Sequence, residues 1–310
     1  MTLTRDDVLA AQARIDGRVR HTPLLAPATG APSQVWLKLE HLQHCGVFKT
    51  RGAFNRQLAA RERGELGEAG VVVASGGNAG LAQAFAAREL GIRATVFVPE
   101  TAPAVKIARI EGYGALVRRS GREYAEAYGA ATAFADVQGA TFAHAYDQPD
   151  VAAGAGTLAE EILDDEPTID TIVVAVGGGG LYAGIAAAVR GRARVVAVEP
   201  VLAPTLHRAI AAGRPVDVEV SGVAADSLGA RRIGDLAFEA ALADAPVSVL
   251  VDEDDIVAAR QRLWDDFRVA SEHGAATTYA ALLSGAYVPS SGERVAVVVC
   301  GANTDPATLI

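Results

Sequence analysis

Lys49 is one of three lysines in a chain of 310 residues that also carries 25 arginines. It stands in GVFKTRGAF (46–54), just ahead of a predicted helix. A desolvated lysine amine can lose its proton and bond to a carbonyl carbon, whereas a guanidinium keeps its charge. Phe48 and the other apolar neighbours favour the neutral amine. Lys38 falls in an alternating strand and Lys106 on a charged helix face, so both read as structural. GGGGL, Gly177 to Leu181, follows an apolar run and opens a helix, leaving backbone N–H groups free for a phosphate. Tight strand–helix packing is the plainer alternative, but four successive glycines cost backbone entropy that packing alone rarely requires. SGGNAG (75–80) repeats the strand–loop–helix design. Its hydroxyl, amide and N–H groups suit a carboxylate, and a glycine-rich turn with Ser75 as N-cap is the competing reading. Cys300 ends the last apolar strand before Gly301-Ala302-Asn303. A free cysteine is usually a small buried hydrophobe, but strand ends are where open α/β sheets place their ligands.

One rival reading uses the same loop differently. Gly178, Gly180 and Ala183 fit GxGxxG/A, and Glu199 ends the next strand about 20 residues on, as in an NAD-dependent oxidoreductase. That reading gives Lys49 and SGGNAG no task. No Lys-Ser/Thr follows the glycines, so the loop is not a Walker A motif.

The elements that position these residues alternate. Helices are expected over 5–17 (with Val8, Ala11, Ala13 and Ile15 inward), from Lys49 to about Arg63, and over 81–91, 103–111, 122–135, 152–164 and 181–189. Others follow near Pro204 and over 254–269 and 275–285. Strands are expected at 35–40, 71–75, 94–100, 115–120, 141–146, 171–176, 194–199, 248–253 and 294–300, with 214–235 irregular. Apolar strands alternating with helices imply parallel sheets covered on both faces. The uncharged runs Val71 to Ala87 and Thr171 to Val189 approach spanning length, but glycines divide each into strand, loop and helix.

Composition narrows the function. Net charge is −9 and no basic stripe occurs, which excludes nucleic acid and anionic membrane as partners. Cys45 and Cys300 show no zinc-ligand spacing. The N-terminus lacks a signal-peptide pattern, so the expected location is the cytoplasm.

KLEHLQ, FKTRGAF, SGGNAG, GGGGL and CGAN occur in the order found in the serine/threonine dehydratases, and the chain from residue 21 to 303 resembles that group of fold-type II pyridoxal-phosphate enzymes. The resemblance implies a tryptophan synthase β-like α/β fold of open twisted sheets covered by helices. It implies two domains, 46–149 and a larger one from 1–45 with 150–310, and a homodimer. It implies that Lys49 holds pyridoxal 5'-phosphate as a Schiff base, with Phe48 beside the ring and Asn78 on the ring hydroxyl. Gly177, Gly178, Gly179, Gly180 and Leu181 would take the phosphate, and Cys300 would face the pyridine nitrogen. Ser75, Gly76, Gly77 and Asn78 would hold the substrate, with Lys49 and Ser75 catalytic. Glu199 and Ala203 resemble part of a monovalent or divalent cation site found in some members.

The implied reaction is β-elimination from a β-hydroxy amino acid such as L-serine or L-threonine, giving a 2-oxo acid and ammonia. A neutral thiol at Cys300 suits elimination, because a ring without a full pyridinium expels the β-hydroxyl rather than storing the carbanion. Gly76 lacks the hydroxyl that related racemases place there, so elimination should exceed racemisation. Departures from the pattern are Val47 for a serine, Cys45 for a threonine, and SGGNAG where racemases have SSGNH. β-Replacement and a non-catalytic ligand-binding relative are the remaining alternatives. The chain ends just after the Cys300 strand, so no feedback by isoleucine is expected.

Overall fold

The computed structural model describes residues 2–27 and 34–309. In chain order its elements are α1 (Arg5–Ile15), β1 (Leu24–Leu25), β2 (Gln34–Lys38), α2 (Lys49–Glu62), β3 (Val71–Ala74), α3 (Asn78–Leu90), β4 (Ala94–Val98) and α4 (Ala104–Glu111). Then come β5 (Leu116–Arg119), α5 (Tyr124–Gln138), β6 (Thr141–Phe142), α6 (Pro149–Asp165), β7 (Thr171–Ala175), α7 (Gly180–Val189) and β8 (Arg194–Pro200). The chain closes with α8 (Thr205–Ala212), α9 (Asp235–Asp244), β9 (Val247–Val251), α10 (Glu253–Phe267), α11 (His273–Leu283) and β10 (Arg294–Val298).

The strands form two sheets. One has the order β1-β2-β10-β7-β8-β9, parallel except for β1; the other has the order β5-β4-β3-β6 and is parallel throughout. β3, β4 and β7 are buried along their whole length, as strands covered on both faces must be. Both sheets reverse their winding at the strand that precedes a glycine loop. From β7 the chain runs outward to β8 and β9, while β10 lies on the other side; β3 likewise stands between β4 and β6. Such a reversal opens a crevice at the carboxyl ends of the strands.

Glycines let the helices beneath these loops approach closely. A Cβ on Gly52 of α2 would lie 2.5 Å from the Val151 carbonyl of α6, and one on Gly156 of α6 would lie 2.4 Å from the Gly184 carbonyl of α7. The start of α2 and the start of α7 are thereby keyed to one shared helix. Both uncharged runs of near-spanning length are split into strand, loop and helix, and no helix among the described residues is long and apolar enough to cross a membrane.

Three expectations need correction. In α1, Val8, Ala11 and Ile15 are buried but Ala13 is exposed, because it lies off the i, i+3, i+7 stripe. The strand expected over 141–146 stops at Phe142. There the Nδ1 atom of His144 accepts from the N–H groups of Tyr146 and Asp147, at 3.2 and 2.8 Å, and turns the chain out of the sheet. No element was expected between 236 and 247, yet α9 forms. Its start lacks a local side-chain cap; instead Asp147, distant in sequence, accepts from the Asp235 and Leu236 N–H groups.

Behind α2 lies a closed ionic cluster. Arg51 donates to both oxygens of Glu40 and both oxygens of Glu161, at 2.7–2.9 Å. Lys38 donates to Glu161 at 2.6 Å and to the Thr22 carbonyl at 2.7 Å. Removing one member of such a cluster leaves an unpaired buried charge. Arg51→Ala should therefore lower the unfolding free energy by about 3–5 kcal/mol in denaturant titrations. Arg262→Ala, at an exposed pair with Asp266, should leave it unchanged within error.

Candidate active site

The Lys49 loop is pinned to the end of β10. Val47 forms an antiparallel bridge with Gly301, the Phe48 N–H donates to the Cys300 carbonyl at 3.1 Å, and the Ala302 N–H donates to the Gly46 carbonyl at 2.9 Å. Lys49 consequently opens α2 beside Cys300. Its Nζ donates to the Ala145 carbonyl at 3.1 Å and lies 5.1 Å from the centre of the Phe48 ring. Part of the side chain is reachable through the cleft, but the amine is enclosed by protein. Desolvation therefore lowers its pKa, against opposing pulls from Cys300 and Glu272. Among the described residues no carboxylate pairs with it. The other two lysines are engaged in ion pairs, Lys38 with Glu161 and Lys106 with Asp226.

The glycine loop ends β7 and starts α7. Among the described residues, no acceptor receives the N–H groups of Gly177, Gly178, Gly179, Gly180 or Leu181. Five free donors at a helix start form an anion cradle. The expectation that packing would not require four glycines is overturned. Cβ atoms on Gly178 and Gly180 would meet Tyr146 at 2.3 and 2.5 Å, one on Gly177 would meet Leu228 at 3.1 Å, and one on Gly179 would meet Ala237 at 2.3 Å. Gly179 also has φ of 90°, open to glycine at little cost. Close packing and free donors coincide at this loop.

The second loop repeats the pattern at α3. The N–H groups of Gly76, Asn78 and Ala79 have no acceptor among the described residues, and the Ser75 Oγ accepts from the Gly77 N–H at 3.3 Å. Ser75 closes its own turn rather than capping the helix, whose N-cap is Gly77. Phe48, Lys49, Ala79, Tyr146, Gly180 and Leu181 line one cleft, so both loops and the lysine share a wall. Gly76, Gly77, Asn78 and Asn303 line an adjoining hollow whose rim carries Lys106, Arg109 and Asp226. Cys300 is buried, and burial raises its thiol pKa far above the usual range, so it is neutral.

Glu199 and Ala203 lie apart from this cleft. The Glu199 carboxylate accepts from the Thr205 hydroxyl and the Leu206 and His207 N–H groups at 2.7–3.0 Å, and the Ala203 carbonyl accepts from the Thr205 N–H. The expected ligand atoms are thus used in starting α8. Among the described residues no group of three or more His, Cys, Asp or Glu side chains could hold a metal ion.

Sequence reasoning missed the residues that enclose the site. Ala145 and Tyr146 came from a stretch expected to be strand, Glu272 belongs to no motif, and Asn303, the last residue of CGAN, was given no role. Glu272 is buried just before α11 and accepts from the Asn78 Nδ2 at 2.9 and 3.1 Å.

The pyridoxal-phosphate dependent enzyme family matches residues 15–301. An L-threonine ammonia-lyase from Thermotoga maritima is 36% identical, over 98% of this chain and 76% of its own. The maize serine racemase structure superposes with a TM-score of 0.91 at 30% identity, covering 100% of this chain and 96% of its own. The threonine deaminase structure from T.th. gives 0.88 at 31%, covering 97% and 99%. The residues present fit the family's cofactor: a desolvated amine without a carboxylate partner suits its aldehyde, and five free N–H groups suit its phosphate.

The Tyr146 ring seated on the glycine loop is directly testable. Gly178→Ala should destabilise the protein by about 1–3 kcal/mol through overpacking. The cost should shrink in a Tyr146→Ala background, measured as a double-mutant cycle in denaturant.

Proposed function

Because the chain belongs to the pyridoxal-phosphate-dependent enzyme family, we propose that it eliminates the β-hydroxyl of an amino acid such as L-serine or L-threonine, forming a 2-oxo acid and ammonia. The observation that carries this reading is Lys49: a desolvated amine, bonded to the Ala145 carbonyl, in a cleft shared with the glycine loop.

Bound pyridoxal phosphate supplies an electron sink for negative charge at the substrate Cα. Lys49 would hold it covalently through Nζ. The N–H groups of Gly177 to Leu181 would take the phosphate, Phe48 would flank the ring, Asn78 would donate to its hydroxyl, and Cys300 would stand at its nitrogen as a neutral thiol. The Ser75 hydroxyl and the free N–H groups of Gly76, Asn78 and Ala79 bind the substrate carboxylate. Lys49 Nζ, once free, takes the Cα proton. The C–O bond at Cβ breaks and the hydroxyl leaves as water with the proton that Lys49 took from Cα, and hydrolysis of the released enamine consumes one water and gives the 2-oxo acid and ammonia. Assembly as a homodimer and the division into domains 46–149 and 1–45 with 150–310 rest on the resemblance, and location in the cytoplasm is proposed with them.

Racemisation needs a proton donor on the opposite face of Cα, and Gly76 offers none. A Cβ at position 76 would meet Val98 at an ordinary 3.4 Å, so a side chain fits there. Protein purified with pyridoxal phosphate should be yellow, bleach with borohydride and carry the reduced adduct on Lys49. Peptide mapping to Lys38 or Lys106, or a colourless protein, would sink the assignment. With L-serine, chiral analysis should find 2-oxo acid far in excess of D-serine. Gly76→Ser should raise the D-serine share at least about tenfold, a tenth of the roughly hundredfold that a positioned acid contributes at the low end.

A further inference from the structure

Asn78 does not stand alone at the mouth of α3. Its Oδ1 accepts from the Asn303 Nδ2 at 2.6 Å, and its Nδ2 donates to both oxygens of Glu272. The Asn303 Oδ1 in turn accepts from Arg109 at 2.6 Å, and the Asn303 N–H donates to Glu272 at 3.2 Å. This chain has a donor-only group at one end and a carboxylate facing only donors at the other. With the ends fixed, neither amide can turn over: the Asn303 oxygen must face Arg109, so its nitrogen faces the Asn78 oxygen, and the Asn78 nitrogen faces Glu272.

Glu272 is itself held. Its N–H donates to the Gly301 carbonyl at 3.1 Å, and a Cβ on Gly301 would lie 2.5 Å from its Oε1. The two oxygens of one carboxylate subtend too narrow an angle to receive both Asn78 hydrogens separately. One N–H is shared between them and the other stays free.

We propose that Glu272 is a positioning residue that fixes Asn78 as a hydrogen-bond donor toward the cofactor ring. The inference rests on the pyridoxal-phosphate reading above. Among the described residues, the Glu272 carboxylate accepts from the Asn78 side chain and the Asn303 N–H, so its hydrogen bonds toward the site run through Asn78. A carboxylate here accepts from two donors at once, whereas a glutamine would set its own NH2 against one of them. The Asn78 amide would then turn, presenting its oxygen to Glu272→Gln and losing the free N–H.

The test is the visible spectrum and cofactor affinity of Glu272→Gln beside wild type. The variant should show a displaced band and bind pyridoxal phosphate about tenfold more weakly, in line with loss of one charge-assisted orientation. The double variant Glu272→Gln/Asn78→Asp gives the glutamine NH2 and the Asn303 Nδ2 an acceptor each. It should regain thermal stability without regaining the wild-type band. If Glu272→Gln keeps the wild-type band and affinity, or the double variant restores both, Glu272 merely supports the loop and the proposal is overturned. Should Glu272→Gln not fold, Asn303→Asp tests the same orientation from the partly exposed side, with the same displaced band expected and an unchanged one overturning the proposal. A wild type that binds no cofactor at all would instead remove the functional reading itself.

Discussion

The buried ion cluster around Arg51 is the constraint on which the site depends. Arg51 lies two residues beyond Lys49 on α2 and ties that helix to Glu40, just past β2, and to Glu161 on α6. Lys38 and Arg51 balance Glu40 and Glu161 in charge, and Thr22 adds a hydroxyl donor to Glu40. Each carboxylate is shared between elements, so no element can shift without exposing an unpaired charge. The same α6 meets α2 and α7 through glycine contacts. The lysine and the glycine loop, more than a hundred residues apart in sequence, are therefore placed by one helix and one ionic knot.

That rigidity matters because the chemistry asks for an amine that is neutral and accurately placed. A long flexible side chain gains little from burial unless its base is fixed. Here the antiparallel pairing of 46–48 with 300–302 fixes the base, and the Ala145 carbonyl fixes the tip. The carbonyl is a weak enough partner to leave the amine's charge unsupported, which a carboxylate would not do. Lysine is used elsewhere in the opposite way: Lys38 is fully buried but paired with the Glu161 carboxylate.

Much of this was legible in the sequence. Apolar β-branched runs ending in glycine clusters marked the parallel strands, FKTRGAF, SGGNAG and GGGGL marked residues that line the cleft, and KLEHLQ held two members of the ion cluster behind it. What could not be read was any structure set by distant parts of the chain. The start of α9 is capped by Asp147, the turn at His144 is made by a side chain that looks like a strand residue, and Glu272 meets Asn78 only because α3 and α11 start side by side. The glycine loop shows a different limit. Its glycines were assigned to anion binding at the expense of packing, but Tyr146 and Ala237 could not approach without them. A glycine run does not say which of its two benefits is used, and here it is both.

The residues that touch the glycine loop explain why the two benefits belong together. Leu228, Tyr146, Ile233 and Ala237 approach it so closely that their side chains shut the loop off on the protein side, and none carries a charge. An anion held there would be met by backbone N–H groups and the field of α7 rather than by an arginine or a lysine. Under the proposed function, phosphate held by dipoles would leave Lys49 as the amine that meets the aldehyde and would add no fixed cation to the pocket. Cys300 fits the same arrangement: burial raises its pKa, so the wall beside the amine is an uncharged thiol. The nearest acid, Glu272, has its oxygens turned to the Asn78 amide and the Asn303 N–H rather than to Lys49. Under the proposed function, a pocket that keeps its charges few and engaged would let the carbon acidity of a bound amino acid be set by the cofactor and by one movable proton on Lys49.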